Sequence, residues 1–313
     1  MDTQNSSTGS FKRYWRLLVM LLLLLLITAE LFVRLIVVKL PRSTPALINR
    51  VYQATGDQVV AGDSQMYRAF LEQQDFVNLA RRGNPIPAVK LTLEKYFSNK
   101  IPSRVVLQAS PQLFSKPQLE RNTQRYDAYF NLNMAFYKPY LFEKGITEFI
   151  NEIKSVSQAY QLLMQSQPPE FEASSQAWLA MTDQQRSNRV RARVEHHMPQ
   201  WQDNRTADYQ RIYRELISGL LSKQASVCLV RPPVNAEYLA VTAQSEAYLQ
   251  AELFFLELAR DYNVRYVDFQ ELPIDFEESA FINQDHITPA ASKTFSALVF
   301  SRCFDPHSSS GNR

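Results

Sequence analysis

Five short apolar runs, separated by stretches with helical periodicity, constrain this chain more than any other feature of its sequence. Each run ends at or near a turn-forming residue, as buried strands do. The runs cover residues 58–61, 76–80, 105–109, 226–230 and 264–268. Strands that alternate with helices over short connections form a parallel sheet with helices on both faces. The sequence therefore predicts an α/β fold built on a parallel sheet.

Helical patterns occupy the intervals between the runs. They cover residues 65–74, 88–97, 245–262 and 289 to about 302. The last of these helices has a well-marked start, because Thr288 is a favourable N-cap and Pro289 suits the first helical position. We place one domain at residues 57–304, followed by a polar tail at 305–313.

The stretch between the third and fourth runs, residues 113–223, is too long for a single crossover. It is polar, rich in Gln, Tyr and Arg, and mostly helical by pattern, for example at 145–164 and 206–221. We predict that it is a helical insertion or cap over the carboxyl edge of the sheet.

Composition excludes several classes of protein. The 7 glycines are too few for all-β folds with many tight turns. The 34 basic and 31 acidic residues are mixed along the chain and give a net charge of +3, which argues against a nucleic-acid partner. The sequence has no Cys/His cluster with the spacing of metal ligands, so we expect neither a metal nor a cofactor.

The two cysteines, Cys228 and Cys303, lie far apart in the sequence. Outside the cytoplasm they could form a disulfide. Cys228 falls in the fourth apolar run, where a small buried side chain fits. We therefore expect an unreactive, buried thiol at this position.

An apolar segment at residues 17–38 is long enough to span a bilayer core, which takes about 20 residues. Lys12, Arg13 and Arg16 precede it, so residues 1–16 should face the cytoplasm and the rest of the chain the opposite side. A cleaved signal peptide is the competing interpretation, but the run is long and lacks a small-residue cleavage site. We predict an uncleaved signal-anchor, followed by a linker at 39–56.

Polar residues that suit catalysis follow three of the predicted strands. Ser64 lies in the turn after the first strand, where a serine exposes its hydroxyl and backbone N–H groups can meet an oxyanion. Gly83 follows the second strand, and His286 lies in the loop before the last helix. Since sites of parallel sheets form beyond the carboxyl ends of the strands, His286 is placed to take a proton from Ser64.

These pieces resemble the SGNH/GDSL hydrolase family. The matching residues are Gly-Asp-Ser at 62–64, Asn-Leu-Ala at 78–80 with Gly83 and Asn84, and the histidine loop before the last helix. The resemblance implies a flavodoxin-like three-layer α/β/α sandwich that hydrolyses or transfers acyl esters. It also implies Ser64 as nucleophile, His286 as base, and the N–H groups of Ser64 and Gly83 as an oxyanion hole.

The chain departs from the family at two places. The family has an aspartate three residues before the histidine, where this chain has Asn283, so that Asp285 or a simple dyad would have to suffice. The family has an asparagine after the third strand, where Ser110 or Gln112 would have to act as oxyanion donor. Losing one such donor typically costs about 10²–10³ in rate.

Other residues near the predicted site have different assignments. Arg231 at the end of the fourth strand and Asn84 are candidate substrate contacts. Asp63 and Asp268 are interpreted as structural, and His196 and His197 as surface residues. Ser64 has an alternative role as a turn or N-cap residue, and His286 as a cap of the last helix.

The layout also resembles membrane-anchored SGNH proteins that act beside membrane-bound O-acyltransferases in bacteria. Those proteins acetylate exported polysaccharides or D-alanylate teichoic acids. The resemblance implies a single-pass protein of the bacterial inner membrane with its domain in the periplasm, a glycan substrate and a membrane-bound O-acyltransferase partner. Two alternatives stay open: a catalytically impaired accessory protein that binds glycan or the acyltransferase, and an insertion that mediates assembly.

Overall fold

The computed structural model describes residues 7–32, 35, 56–70, 76–98, 100–121 and 170–305. These residues belong to two units. The first contributes residues 7–32 and 35, and the second contributes all the others. Residues 39–55 of the predicted linker, all of residues 122–169 and the tail from 306 onward lie outside the described residues.

Helix α1, Ser7–Phe32, is the described part of the first unit. Its segment Lys12–Phe32 has a mean hydropathy of 2.2, so it is long and apolar enough to cross a membrane. Among the described helices no other meets this test. The apolar helix overlaps most of the predicted span at 17–38, and of the rest of that span only residue 35 is described.

The second unit consists of short strands that alternate with helices. The described strands are β1 Gln58–Ala61, β2 Val77–Asn78, β3 Arg104–Gln108, β4 Ser226–Arg231, β5 Arg265–Asp268, β6 Phe281–Asn283 and β7 His286–Ile287. The described helices are α2 Ser64–Ala69, α3 Ile86–Tyr96, α4 Lys116–Leu119, α5 Glu170–Leu179, α6 Asp183–His196, α7 Asn204–Ser222, α8 Ala236–Thr242, α9 Glu246–Asp261 and α10 Pro289–Phe304. Short 3₁₀ turns lie at Pro111–Phe114, Phe269–Glu271 and Glu278–Ala280.

Strands β1 to β5 form one parallel sheet in the order β2-β1-β3-β4-β5. In its centre Val60 pairs with Val106, and Val106 pairs with Cys228. The interior positions of β1, β3 and β4 are all buried, as expected of strands covered by helices on both faces. The predicted α/β fold with a parallel sheet is confirmed, and the strand order is one of the doubly wound orders, which bind ligands beyond the carboxyl ends of their strands.

The predicted strands and helices match the described ones to within a few residues, with two exceptions. The second strand was expected at 76–80 but is only the pair Val77–Asn78, because it lies at the sheet edge and pairs with β1 alone. The helix expected at 65–74 is the short α2, which ends at Ala69. The start of α10 is as predicted, since the Thr288 hydroxyl accepts the N–H of Ala291.

The described helices of the predicted insertion take two different positions in the fold. Helix α7 packs against α3 and β4 and leads into β4, so it is the crossover helix of a βαβ unit. Helices α5 and α6 instead pack against β6 and α8, respectively. The helix predicted at 145–164 lies outside the described residues.

Strands β6 and β7 form a small antiparallel ladder that the sequence did not predict. It pairs Asn283 with His286. Strand β7 packs against α2, so the ladder lies beside the turn that follows β1.

Cys228 of β4 and Cys303 of α10 are joined by a disulfide, with their Cα atoms 5.7 Å apart. This corrects the expectation of a free, buried thiol at Cys228. The pairing follows from the tertiary fold, because α10 packs back against β4 and β5.

We expect the double variant Cys228→Ala/Cys303→Ala to lose about 2–4 kcal/mol of unfolding free energy, because the cross-link restricts the unfolded chain. Alanine is the suitable replacement since both sulfurs are buried and a hydroxyl there would lack partners. Urea unfolding of the full-length protein with and without dithiothreitol measures the effect. Dithiothreitol should lower the unfolding free energy of the wild type only. An equal unfolding free energy of the wild type with and without dithiothreitol would contradict the prediction.

Candidate active site

The turn after β1 is shaped by a close approach of β3. A Cβ atom on Gly62 would lie 2.5 Å from Gln108 Oε1 and 2.6 Å from Met66 Cγ, so only glycine fits without rearrangement. The same Gln108 oxygen accepts the backbone N–H of Asp63 at 2.6 Å. The side chain of β3 thus fixes the path of the chain just before Ser64.

Asp63 is the N-cap of α2, as its predicted structural role requires. Its Oδ1 accepts the N–H of Gln65 at 2.8 Å, while the amides of Gln112 and Gln118 donate to Oδ2 at 3.4 and 3.3 Å. Burial raises the pKa of Asp63, and the hydrogen bonds with Gln65, Gln108 and Gln112 and the nearby His286 offset the rise only in part. Because Asp63 caps the helix, Ser64 does not serve as its cap.

Ser64 is the first residue of α2 and is partly exposed. Within the described residues, neither its hydroxyl nor its backbone N–H forms a hydrogen bond. The hydroxyl is therefore not committed to a structural contact, and it forms no hydrogen bond with His286, whose described partners are Asn283 and Asp285.

Gly83 lies in a turn that is tied to the one before Ser64. The N–H of Arg81 donates to Gly62 O at 3.1 Å, and the N–H of Asn84 donates to Arg81 O at 3.1 Å. Gly83 has a φ of +65°, a left-handed conformation that favours glycine. Its N–H has no acceptor among the described residues. Two backbone donors without acceptors, at Ser64 and Gly83, thus lie on adjacent turns.

His286 is held through one ring nitrogen. Its Nδ1 lies 2.9 Å from Asn283 Oδ1 and 3.1 Å from Asp285 Oδ1, so both residues predicted to orient it are in contact with it. Two oxygen acceptors at Nδ1 favour the tautomer with its proton there, which leaves Nε2 with a lone pair. The cap of α10 is Thr288, so His286 does not have that role.

The turn that carries Ser64 is linked through helix α2 to the β6–β7 ladder, which carries His286 and is called the histidine ladder below. Helix α2 packs against both β7 and α10, and the Ser292 hydroxyl of α10 donates to Ala69 O at 2.9 Å. His286 lowers the pKa of the Asp63 carboxyl. Helix α2, which begins with Ser64, thus lies beside the strand that begins with His286.

Asp285 carries a buried negative charge. Burial alone would raise its pKa, but His286, His197 and Arg193 outweigh burial and hold the pKa well below its usual range. The Nε and Nη2 atoms of Arg193 both lie 3.0 Å from Asp285 Oδ2. A carboxylate beside the imidazole is therefore present, although at a different position from the one the family uses.

Two residues of α6 and its end, Arg193 and His197, were missed at this site. His197 was interpreted as a surface residue, and this was wrong: it is buried, with Nδ1 3.0 Å from the Tyr238 hydroxyl. It follows α6 directly and is covered because α6 packs against α8, which carries Tyr238. Burial lowers the pKa of His197 to about 3, so at pH 7 it is neutral and forms no ion pair with Asp285, 3.8 Å away.

The two residues proposed to replace the family's asparagine are engaged in an amide network. The Ser110 hydroxyl accepts from Gln108 Nε2 at 3.2 Å and donates to Gln65 Oε1 at 3.4 Å. Gln112 donates to Asp63. An oxyanion role for Ser110 stays a prediction.

Arg231 lies in an ion-pair cluster. Its guanidinium is 2.6 Å from Glu252 Oε1 and 3.1 Å from Asp268 Oδ2, and the arginine is buried. Two carboxylates thus match its charge, and Asp268 has the structural role predicted for it. Asn84 is also buried. Substrate contacts of Arg231 and Asn84 stay predictions.

Two further observations bear on function: the placement of possible metal ligands and the similarity of the chain to known proteins. Among the described residues no group of His, Cys, Asp and Glu is placed to hold a metal ion. No protein-family model matches the chain, and no curated protein is significantly similar to it.

Proposed function

We propose that the protein is a membrane-anchored serine esterase or O-acyltransferase of SGNH type, with Ser64 as nucleophile and His286 as its base. One observation carries the proposal. His286 is held at Nδ1 by Asn283 and Asp285, on a strand that packs against the helix that begins with Ser64. An imidazole held in this way, with Nε2 as acceptor, is the arrangement that activates a serine.

The reaction has two stages. Ser64 Oγ attacks the carbonyl carbon of an acyl ester while His286 Nε2 takes the hydroxyl proton; the proton then passes to the departing alcohol and an acyl-Ser64 ester remains. Water or a sugar hydroxyl next attacks this ester, gives its proton to His286, and Ser64 is regenerated. The N–H groups of Ser64 and Gly83 are the proposed donors to the oxyanion, and the charge of Asp285 stabilises the imidazolium.

The fold agrees with the family resemblance. The strand order β2-β1-β3-β4-β5 is that of flavodoxin-like sheets, and Gly62, Asp63 and Ser64 follow β1. Asp285 supplies the carboxylate that Asn283 lacks, since both contact the same ring nitrogen.

The proposed location is the periplasmic face of a bacterial inner membrane. Helix α1 is apolar enough to span a bilayer, and Lys12, Arg13 and Arg16 lie at its N-terminal end. A disulfide between Cys228 and Cys303 fits an oxidising compartment. Acyl groups on an exported glycan are the proposed substrates, with a membrane-bound O-acyltransferase as partner.

A non-catalytic accessory role is the second candidate. It is favoured by Asn283 at the position of the family's aspartate and by the engagement of the Ser110 hydroxyl within the amide network. In this role the same fold would bind glycan or the acyltransferase without turning over an ester.

Fluorophosphonate labelling of the full-length protein in detergent, read by mass spectrometry, separates the two candidates. An activated serine should give a label at Ser64 that is absent from Ser64→Ala and unchanged in Ser98→Ala, a control at an exposed serine. No label on folded protein would favour the accessory role. Both transfer and hydrolysis release p-nitrophenol from p-nitrophenyl acetate, so mass spectrometry of an added oligosaccharide then distinguishes them. Transfer acetylates the oligosaccharide, whereas hydrolysis releases acetate and leaves the oligosaccharide unchanged.

A further inference from the structure

We propose that Arg193 is a positioning residue for the reaction: carried by α6, it holds the Asp285 carboxylate against His286. The catalytic relay would then be completed by helix α6. This inference rests on the proposed function and assigns α6 a part in it.

The two oxygens of Asp285 face different partners. Oδ1 lies 3.1 Å from His286 Nδ1 and accepts from Gln284 Nε2 at 3.3 Å. Oδ2 faces the guanidinium of Arg193, whose Nε and Nη2 atoms form a two-donor fork and each lie 3.0 Å from this oxygen. Because guanidinium is rigid and planar, two donors to one oxygen restrict how the carboxylate can turn. The fork thereby keeps Oδ1 directed at the imidazole.

Arg193 also supplies the charge that a buried carboxylate needs. The Asp285 side chain has no exposed surface, and a buried charge without a partner is strongly destabilising. The other groups around the Asp285–His286 pair are His197, which is neutral, the hydroxyls of Tyr238 and Tyr248, whose pKa burial raises, and Asp63, whose pKa is raised by burial. Among these described neighbours, Arg193 is the permanent cation.

Helices α5 and α6 are attached to the rest of the unit at two further points. Trp178 Nε1 of α5 donates to Glu278 Oε1 at 2.6 Å, just before the histidine ladder. After α6, the N–H of Gln200 donates to Phe114 O at 2.9 Å. These contacts hold α5 and α6 in place, and α6 in turn holds Arg193 beside Asp285.

Arginine 193 variants of the full-length protein in detergent test the proposal. With p-nitrophenyl acetate, Arg193→Met should lower kcat about tenfold or more while KM stays within about twofold, because the contact acts on His286 rather than on the substrate. Arg191→Met is the matched control, since Arg191 is exposed on the same helix. It should behave as the wild type.

The pH–rate profile separates positioning from simple support of the fold. Removal of a cation strengthens proton binding by the Asp285–His286 pair, so the inactive protonated form persists to higher pH. The acidic limb of kcat should therefore move to higher pH in Arg193→Met. Arg193→Lys keeps the positive charge but lacks the two-donor fork, so kcat should fall while the acidic limb of its pH–rate profile stays at the wild-type pH. If Arg193→Met fails to fold, Arg193→Lys tests the proposal on its own.

Two results would overturn the inference alone: wild-type kcat in Arg193→Met or in Arg193→Lys, or an equal loss at every pH without movement of the acidic limb in Arg193→Met. Both presuppose that Ser64→Ala is inactive. A Ser64→Ala protein as active as the wild type would instead remove the proposed function and this inference with it.

Discussion

Replacement of His286 by glutamine should lower ester turnover by a factor on the order of 10⁴ to 10⁶, the largest effect we expect in this protein. Without the imidazole, no group at this position can take the Ser64 proton. Glutamine is close in size to histidine and still offers a polar group to Asn283 and Asp285, so the ladder should keep its fold. Initial rates with p-nitrophenyl acetate and the rate of fluorophosphonate labelling both measure the loss.

His196→Gln is the control for this variant. His196 is exposed and directly precedes His197, so its replacement removes a histidine without touching the proposed pair. We expect its activity to remain within about twofold of the wild type, as for surface substitutions generally. Near-normal turnover in His286→Gln would mean that another base, or none, serves Ser64.

Asp285→Asn should have the second largest effect, a loss of about 10²–10⁴ in kcat, whereas Asn283→Ala should lose only about tenfold. Both residues contact His286 Nδ1, but only Asp285 carries a charge that stabilises the imidazolium formed during reaction. An amide at 285 can also present its NH₂ group to Nδ1 and favour the wrong tautomer. Steady-state kinetics of the two single variants give the comparison.

The double variant Asn283→Asp/Asp285→Asn supplies the control. It moves the carboxylate to the position that the SGNH family uses, three residues before the histidine. If a charge at Nδ1 is what matters, the double variant should recover at least about tenfold over Asp285→Asn. A larger loss in Asn283→Ala than in Asp285→Asn would instead assign the orienting role to Asn283.

The parallel sheet could be predicted because its signals are local. Each run such as 58–61 or 226–230 is apolar and ends near a turn, and Thr288 with Pro289 marks the start of α10 within two residues. Parallel strands bring their carboxyl ends to one edge, so Ser64 after β1 and Gly83 after β2 were expected to lie near each other.

The histidine ladder could not be predicted in the same way. Strands β6 and β7 have three and two residues, too few to show an alternating pattern. Only the polar loop around His286 was visible in the sequence, without the geometry that places Asn283 and Asp285 at one nitrogen.

The contact of Arg193 with Asp285 joins residues 92 apart in the sequence, and no local pattern marks such a pair. The same holds for the disulfide, whose cysteines are separated by 75 positions. His197 was misjudged because its charged neighbours suggested a surface helix, while the packing of α6 on α8 buries it. Tertiary packing decided each of these positions.

The order of elements along the chain has a consequence for biosynthesis. Ser64 follows β1, the first described strand of its unit, whereas His286 lies just before α10, which follows every other described element. A ribosome therefore makes the proposed nucleophile well before its proposed base. Under the proposed function, the growing polypeptide would carry Ser64 without an imidazole to activate it until the residues around His286 had emerged. Premature termination between Ser64 and His286 would yield a product that lacks the proposed base.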